Sequence, residues 1–197
     1  MQIKITNQNE TAQHLIAGLT TEDNCIEFFG IRKSKTVMFL RNGRTYDFKD
    51  LSKEHYTLLH NRYMSDVMAR EFIRKMSKDT IRQVELFTYY TYGDLDHTPD
   101  IIDNKLQPAE NFRHKINCIS LKFDSKLMTI EGQPLSRRDL AIIDMIALDY
   151  PDKAIADALG IALPTLDTHK RNLFKKVKVQ TKTALLKKSI NEKIVMS

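Results

Sequence analysis

The spacing of apolar residues changes along the chain and predicts strands in the first fifty residues and helices after them. Residues 25–31 and 36–40 are rich in apolar and aromatic side chains, and Arg41-Asn42-Gly43-Arg44 then leads into residues 45–48. Asn-Gly between two such runs is typical of a two-residue hairpin turn, because both central positions take a positive φ. The pattern therefore predicts a small sheet, with a helix before it over residues 10–18.

From Ser52 onward the apolar residues recur three, four or six positions apart, which is typical of helices. Two helices with a break near residues 77–79 fit this spacing best. These apolar and aromatic residues form a stripe along the predicted helices. We interpret this stripe as core or dimer seam rather than as a ligand pocket, because such stripes are far more often core. Its members are Tyr56, Leu59, Tyr63, Val67, Ile73, Met76, Ile81, Val84, Phe87 and Tyr90.

Two less regular segments follow these helices. Residues 93–113 are polar and contain Gly93, Pro99 and Pro108, which is typical of a connector. Apolar and polar residues alternate again over residues 116–123, and a further apolar run precedes Glu131-Gly132. The pattern predicts a connecting hairpin within residues 116–133.

The last third of the chain carries signals for three successive helices. Ser136 is a good N-cap, and Asp139 three residues later makes a variant of the capping box. A short second helix is predicted over residues 152–159, and Gly160 ends it. A third helix follows, with Pro164 in its first turn, where no backbone hydrogen bond is lost.

The third helix has two distinct faces. The residues predicted to face the core are Leu166, Leu173 and Val177. The residues predicted to stay free for a partner are Thr168, Arg171 and Lys175. A short helix, a glycine turn and a helix with exposed basic residues form the geometry that places a helix in the major groove of DNA.

The charge of the chain is consistent with a polyanionic partner. There are 31 Lys and Arg against 25 Asp and Glu, with a formal net charge of +6 and an isoelectric point near 9.2. From Glu131 onward, 12 basic residues face 8 acidic ones, so about a third of the chain carries most of the excess. A local excess of this kind favours nucleic acid as a partner.

The compartment and the chemistry are constrained by what the sequence lacks. Cys25 and Cys118 are too few for a disulfide framework, and neither a signal-like segment nor a membrane-spanning run is apparent. We therefore expect a cytoplasmic protein with no membrane partner. We also expect no enzyme and no cofactor, because neither a nucleophile and base at recognisable spacing nor a glycine-rich phosphate loop is found.

The last third also resembles a known family. Leu135-Ser-Arg-Arg-Asp139, Lys153-Ala-Ile-Ala156, Leu159-Gly-Ile161, Thr165-Leu166, His169, Asn172-Leu173, Lys176-Val177 and Val179 resemble the LuxR/FixJ-type helix-turn-helix domain of bacterial transcription regulators. The resemblance covers about sixty residues and implies a four-helix domain. It also implies that the third helix reads DNA and that the fourth, over residues 182–193, forms a homodimer.

The resemblance implies a set of DNA contacts on the third helix. We expect base readout from Thr168, Arg171 and Asp167. We expect phosphate contacts from Lys153, Thr165, His169, Lys170, Lys175 and Lys176, although exposed lysines are by default only a solvated face, and His169 is as plausibly structural.

Several residues depart from the family pattern. Asp167 stands where a basic residue is usual, so it would repel phosphate or else accept a hydrogen bond from a cytosine amino group. Ala162 replaces the usual capping Ser, a loss of about 1 kcal/mol, and Pro151 and Ala154 replace Ser and Glu. Sequence specificity therefore cannot be transferred from the family.

The first half of the chain does not resemble the family's usual partner domains. It lacks the βα repeat and acidic pair of a phosphorylatable receiver, and the residues of an acyl-homoserine-lactone domain are not recognised. An acidic cluster could hold a metal, but its spacing fits no known site and favours solvated turns. The residues concerned are Asp94, Asp96, His97, Asp100 and Asp103, with His114 and Cys118 nearby.

The sequence thus predicts an α+β protein with a small hairpin-rich sheet and helices, followed by an all-helical DNA-binding domain. We place the N-terminal domain, a sensor, dimerisation or docking unit, at residues 1–115, the connecting hairpin at 116–133 and the helix-turn-helix domain at 134–197. The predicted function is a dimeric, sequence-specific transcriptional regulator of double-stranded DNA, with RNA polymerase or another regulator as a further partner. Two alternatives stay open: a sigma-factor-like polymerase subunit, and a protein-interaction module that has lost DNA binding.

Overall fold

The computed structural model describes residues 16–19 and 25–195. The chain divides into two units. The N-terminal unit runs to Glu110 and includes Lys122–Ser125, and the C-terminal unit comprises Asn111–Leu121 and the chain from Lys126. Of the helix predicted over residues 10–18, residues 10–15 lie outside the described ranges, and residues 17–18 form a turn.

The N-terminal unit is built on a sheet of five strands in the order β3-β2-β1-β4-β5, in which every neighbouring pair is antiparallel. The strands are β1 (Cys25–Ile31), β2 (Thr36–Arg41), β3 (Arg44–Asp47), β4 (Ile101–Ile102) and β5 (Lys105–Leu106). The Asn-Gly hairpin is confirmed: Asn42 and Gly43 have φ of 51° and 72°, and Arg41 pairs with Arg44. Positive φ at both central positions matches the right-handed twist of the two strands.

Three helices of the N-terminal unit follow the first three strands: α1 (Lys53–Ser65), α2 (Val67–Ile73) and α3 (Thr80–Thr91). The predicted break near residues 77–79 is confirmed, because Asp79 caps α3 by accepting from the backbone N–H groups of Ile81 and Arg82. The prediction of a single helix before that break is wrong. The chain also breaks at Asp66.

Asp66 breaks the helix because its buried carboxylate has several hydrogen-bond donors. It accepts from the N–H of Ala69 at 2.7 Å, from the N–H of Asp124 at 3.1 Å and from the N–H of Ser125 at 2.8 Å. The Ser125 hydroxyl donates to it at 2.6 Å. A capping carboxylate with these partners favours the extended backbone found at Asp66.

The predicted apolar stripe is core in most of its length. Leu59, Tyr63, Ile73, Val84 and Phe87 are fully buried. Three members do not belong to this core and are substantially exposed: Val67 at 60%, Met76 at 41% and Ile81 at 58%. Val67 and Ile81 lie in the first turns of α2 and α3. Because each new helix begins after a break, the apolar spacing of the preceding helix does not continue into it.

The segment before the C-terminal helices differs from the prediction. Residues 116–123, predicted as a strand, contain turns and a short 3₁₀ helix at Ile119–Lys122. The hairpin instead joins β6 (Thr129–Ile130) and β7 (Gln133–Pro134) across Glu131-Gly132, both of which have positive φ. A period-two alternation does not distinguish a strand from such an irregular segment.

The C-terminal unit contains four helices: α4 (Arg137–Ala147), α5 (Asp152–Leu159), α6 (Leu163–Lys176) and α7 (Lys182–Asn191). Their apolar faces form one core, in which Ile142, Ile155, Leu173 and Leu185 are fully buried. The predicted α+β class, with an all-helical final part, is confirmed. Among the described residues, no helix is long and apolar enough to cross a membrane.

Candidate nucleic-acid interface

Helix α4 begins with the predicted capping box. The Ser136 hydroxyl accepts from the N–H of Asp139 at 3.1 Å, and the Asp139 carboxylate accepts from the N–H of Ser136 at 2.9 Å. Two N–H groups of the first turn therefore have partners, which fixes where α4 begins. The helix then buries Leu140 and Ile143 in the core.

The turn between α5 and α6 is set by Gly160. Its φ of 65° lies in the left-handed region, and the N–H of Ile161 reaches back to the Ala156 carbonyl at 3.0 Å. This six-to-one hydrogen bond is the Schellman ending of a helix, which glycine adopts at no steric cost. Helix α6 starts at Leu163, three residues after Gly160, with Pro164 in its first turn as predicted.

Helix α6 is divided lengthwise into a buried and an exposed face. The side chains of Leu166, Leu173 and Val177 are fully buried. The exposed positions include Thr165, Asp167, Thr168, Arg171 and Lys175, and Leu163, Pro164 and Asn172 are exposed as well. The predicted separation of the two faces is confirmed, and the exposed face belongs to the helix that follows the glycine turn.

Two of the lysines predicted to contact phosphate are held by carboxylates of the same unit. Lys170 Nζ lies 2.7 Å from Asp152 Oδ2, and Lys182 Nζ lies 2.9 Å from Asp152 Oδ1. Lys176 Nζ lies 2.6 Å from Asp139 Oδ2. These ammonium groups are therefore partly neutralised before any partner binds.

The same contacts keep both acids ionised. Hydrogen bonds from Lys170 and then Lys182 lower the pKa of Asp152 below its ordinary value. Burial raises the pKa of Asp139, but the hydrogen bonds from Lys176 and Ser136 outweigh it, and the pKa is lowered. Both side chains are carboxylates at neutral pH, so the ion pairs persist there.

The remaining predicted residues, His169 and Lys153, differ in how exposed they are. His169 is half-buried, and its Nε2 lies 3.1 Å from Arg138 Nη1. Lys153 is exposed on α5. The outer side of α6 also borders a surface pocket of about 580 Å³. The residues lining this pocket are Asp167, Lys170, Arg171, Phe174, Lys175, Val179 and Gln180.

Sequence reasoning missed the part played by Asp152. This residue lies in the first turn of a helix, where an acid is expected in any case to favour the helix dipole. Its partners are 18 and 30 residues away in sequence. Only the packing of α5, α6 and α7 brings these three side chains together.

The acidic residues that lie close together in the structure are not the set that the sequence suggested for a metal site. Carboxylate oxygens of Glu27, Asp96 and Glu110 lie within 4.8 Å of one another in the N-terminal unit. Burial, then Glu110 and Glu27, raise the pKa of the neighbouring Asp100 well above its ordinary value. His114 and Cys118, considered with the same cluster, belong to the C-terminal unit. A carboxylate cluster is not by itself a metal site.

Comparisons with known proteins agree with the geometry of the C-terminal unit. Residues 133–188 match the family model described as bacterial regulatory proteins, luxR family. The oxygen regulatory protein NreC of Staphylococcus aureus strains JH9, JH1 and USA300 is 24% identical over 130 residues, which is 64% of this chain and 54% of NreC. The chain thus spans about half the length of these curated relatives, and no solved structure gives a significant match. Residues 133–188, which include α4, α5, α6 and most of α7, are a helix-turn-helix domain of the luxR family.

Proposed function

We propose that the chain is a DNA-binding transcriptional regulator that places α6 in the major groove. The observation that carries the proposal is the division of α6, which buries Leu166 and Leu173 and exposes Thr168, Arg171 and Lys175. A helix with its side chains is about 10–12 Å across, and the major groove is about 12 Å wide. The exposed face can therefore enter the groove while the core stays intact.

The contacts follow from the positions along α6. Arg171 can donate to O6 and N7 of guanine, Thr168 can contact either base edge, and Asp167 can accept from the cytosine amino group. Lys153, Thr165 and Lys175 are exposed and suit phosphate contacts. Lys170, Lys176 and His169 remain candidates for phosphate contact, but their ion pairs and contacts within the unit reduce what each can contribute.

The same proposal includes the oligomeric state, the partners and the compartment of the protein. A homodimer would read two half-sites about one helical turn apart, with RNA polymerase or another regulator as a further partner. A regulator of bacterial genes works where the chromosome lies, so the cytoplasmic compartment follows from the proposed function. The function requires binding alone, without catalysis.

One observation favours a different function, a protein-interaction module. Asp167 is exposed in the middle of the α6 face, and three lysines near that face are paired with carboxylates. These features weaken the attraction for phosphate. The two functions differ in their dependence on salt, because phosphate contacts release counterions when they form.

The test is a titration of the full chain with duplex fragments of bacterial genomic DNA over a series of salt concentrations. The proposal expects binding whose affinity falls steeply with salt. Arg171→Ala should narrow the difference between specific and non-specific affinity, and Lys175→Ala should weaken both alike. Absent binding at low ionic strength, or binding indifferent to salt, would favour the interaction module.

A further inference from the structure

Asp152 is the one carboxylate that joins three helices of the domain through its two oxygens, among the ion pairs of the described residues. Oδ2 binds Lys170 of α6, and Oδ1 binds Lys182 of α7, while Asp152 itself lies at the start of α5. We call these three residues the Asp152 clamp. The clamp ties the helix proposed to enter DNA to the helices on both sides of it in sequence.

The two lysines are not equally accessible. The Lys170 side chain is only 13% exposed, although Lys170 lies on α6 between the exposed residues Thr168 and Arg171. The Lys182 side chain is 46% exposed. A lysine that extends freely into water would show a much larger exposed fraction, so the ammonium of Lys170 is directed toward Asp152 rather than outward.

The charge of the clamp matters for binding to DNA. Two ammonium groups and one carboxylate give a net charge of +1 where two unpaired lysines would give +2. Non-specific binding depends on the number of phosphates that cations neutralise, because each such neutralisation releases counterions. A domain with the clamp therefore has a weaker attraction for arbitrary duplex DNA than its lysine content implies.

We propose that Asp152 is a specificity-determining positioning residue, which withholds Lys170 and Lys182 from DNA phosphates and thereby limits non-specific binding. This inference rests on the proposed function. In a specific complex, base contacts fix α6 in one register, and a released lysine adds affinity only where a phosphate lies within its reach. Non-specific binding samples many registers on the duplex, so each released lysine strengthens non-specific binding more than it strengthens specific binding.

The experiment compares Asp152→Asn with Asp157→Asn in the full chain. Asp157 lies on the same helix and is exposed, so both substitutions remove one negative charge from α5. The probe is a random-sequence duplex, and affinity is measured by fluorescence anisotropy between about 50 and 300 mM salt. Asp152→Asn should steepen the slope of log affinity against log salt by about one to two.

The affinity for random duplex near 0.1 M salt should rise roughly tenfold for each additional phosphate that a released lysine neutralises. Asp157→Asn should change the slope by much less, because removing the Asp157 carboxylate alters only the overall electrostatic potential of the domain and releases no lysine. The ratio of affinities for a selected binding fragment and for random duplex should fall in Asp152→Asn. Identical slopes and identical ratios in the two variants would overturn the inference.

A second variant separates the clamp from a loss of folding. Lys170→Gln added to Asp152→Asn should remove about half or more of the increase in slope, since the released ammonium is no longer present. A change in slope that came from partial unfolding would persist in this double variant. Persistence of the full increase would therefore also overturn the inference.

Failure of the inference can be told apart from failure of the proposed function. If the wild-type chain binds DNA with a steep salt dependence but Asp152→Asn behaves like Asp157→Asn, only the inference fails. If neither wild type nor any variant binds duplex DNA at the lowest salt concentration, the proposed function fails and the inference falls with it.

Discussion

Asp167 is an acidic side chain on a helix face that offers mostly hydroxyl and cationic groups. A carboxylate can only accept hydrogen bonds, and in the major groove the amino group of cytosine is a donor that suits it. We predict that Asp167→Asn shifts the preferred base at one operator position from cytosine to adenine, because Asn donates to N7 and accepts from the amino group of adenine. The expected discrimination is about 1–3 kcal/mol.

Selection of bound duplexes from a random pool, followed by sequencing, measures this shift. Asp157→Asn serves as the control, since it changes an exposed acid outside α6. Unchanged base preferences at every position would remove Asp167 from the set of base-reading residues.

Asp100 makes the stability of the N-terminal unit depend on pH. Burial first, and then Glu110 and Glu27, raise the pKa of its carboxyl well above the ordinary value. A raised pKa means that the folded state holds a proton more tightly than the unfolded state. The stabilisation is complete below the unfolded pKa of about 3.9 and is lost as pH rises through the folded pKa.

We predict that Asp100→Asn raises the free energy of unfolding at neutral and alkaline pH and leaves it close to wild type near pH 4. The amide oxygen can still accept from the N–H of Phe28, which now donates to Asp100 at 2.8 Å. Urea denaturation between pH 4 and 9 measures the effect, and Asp50→Asn, at an exposed position, is the control. A pH profile parallel to that of wild type would contradict the assignment of Asp100.

At the scale of elements, α6 begins without a side-chain cap. Its N-cap is Ala162, whose extended backbone is suited to a cap but whose side chain offers no acceptor. We predict that Ala162→Ser raises the free energy of unfolding by about 1 kcal/mol, because a hydroxyl there can accept from the N–H of Thr165. Ala158→Ser, inside α5 and exposed, should be neutral or slightly destabilising.

Thermal and urea denaturation of the two variants give the comparison. Equal shifts from both serines would mean that any added stability does not come from capping. Loss of stability in Ala162→Ser would mean that the first turn of α6 cannot accommodate the hydroxyl.

The helices of the C-terminal unit could be predicted from sequence because their signals are local. The Ser136 capping box, Gly160 and Pro164 mark boundaries within a few residues of where they act, and the apolar spacing indicates the buried face. The Asn42-Gly43 turn is local in the same sense. Such elements are specified by residues that are neighbours in the chain.

The elements that the sequence did not predict depend on distant partners. The break at Asp66 is stabilised by donors at Asp124 and Ser125, about 60 residues away, so helical spacing alone could not place it. The Asp152 clamp depends in the same way on the packing of three helices. The exposed residues of α6 were predicted, whereas the ion pairs of Lys170 and Lys176 were not.

At the scale of the whole molecule, the C-terminal unit extends upstream of the luxR-family match. The side chain of Arg113 is 1% exposed and binds both oxygens of the buried Asp144. Its Nε also donates to the carbonyl of Ile194 at 2.9 Å. One side chain therefore joins the segment Asn111–Leu121 to α4 and to the end of the described chain.

We predict that Arg113→Met lowers the free energy of unfolding of the C-terminal unit by about 3–5 kcal/mol, because it leaves the Asp144 carboxylate buried without its cation. Adding Asp144→Leu should recover most of this loss, since apolar replacement of a buried ion pair is often neutral. Urea denaturation of the full chain, followed by far-ultraviolet circular dichroism, measures both values. A loss that Asp144→Leu does not recover would mean that the contact with Ile194 dominates.

The same ion pair bears on where the domain can be cut. A fragment of residues 134–197 retains Asp144 but loses Arg113, and it also loses the buried side chains of Met128 and Ile130. It should therefore be less stable than a fragment of residues 111–197 by about 3 kcal/mol or more. The larger fragment carrying Arg113→Met should lie between the two in stability, because it keeps the buried side chains of Met128 and Ile130. If the two fragments instead unfold at the same urea concentration, Arg113 contributes little. The boundary predicted at residue 134 would then also describe a domain that folds on its own.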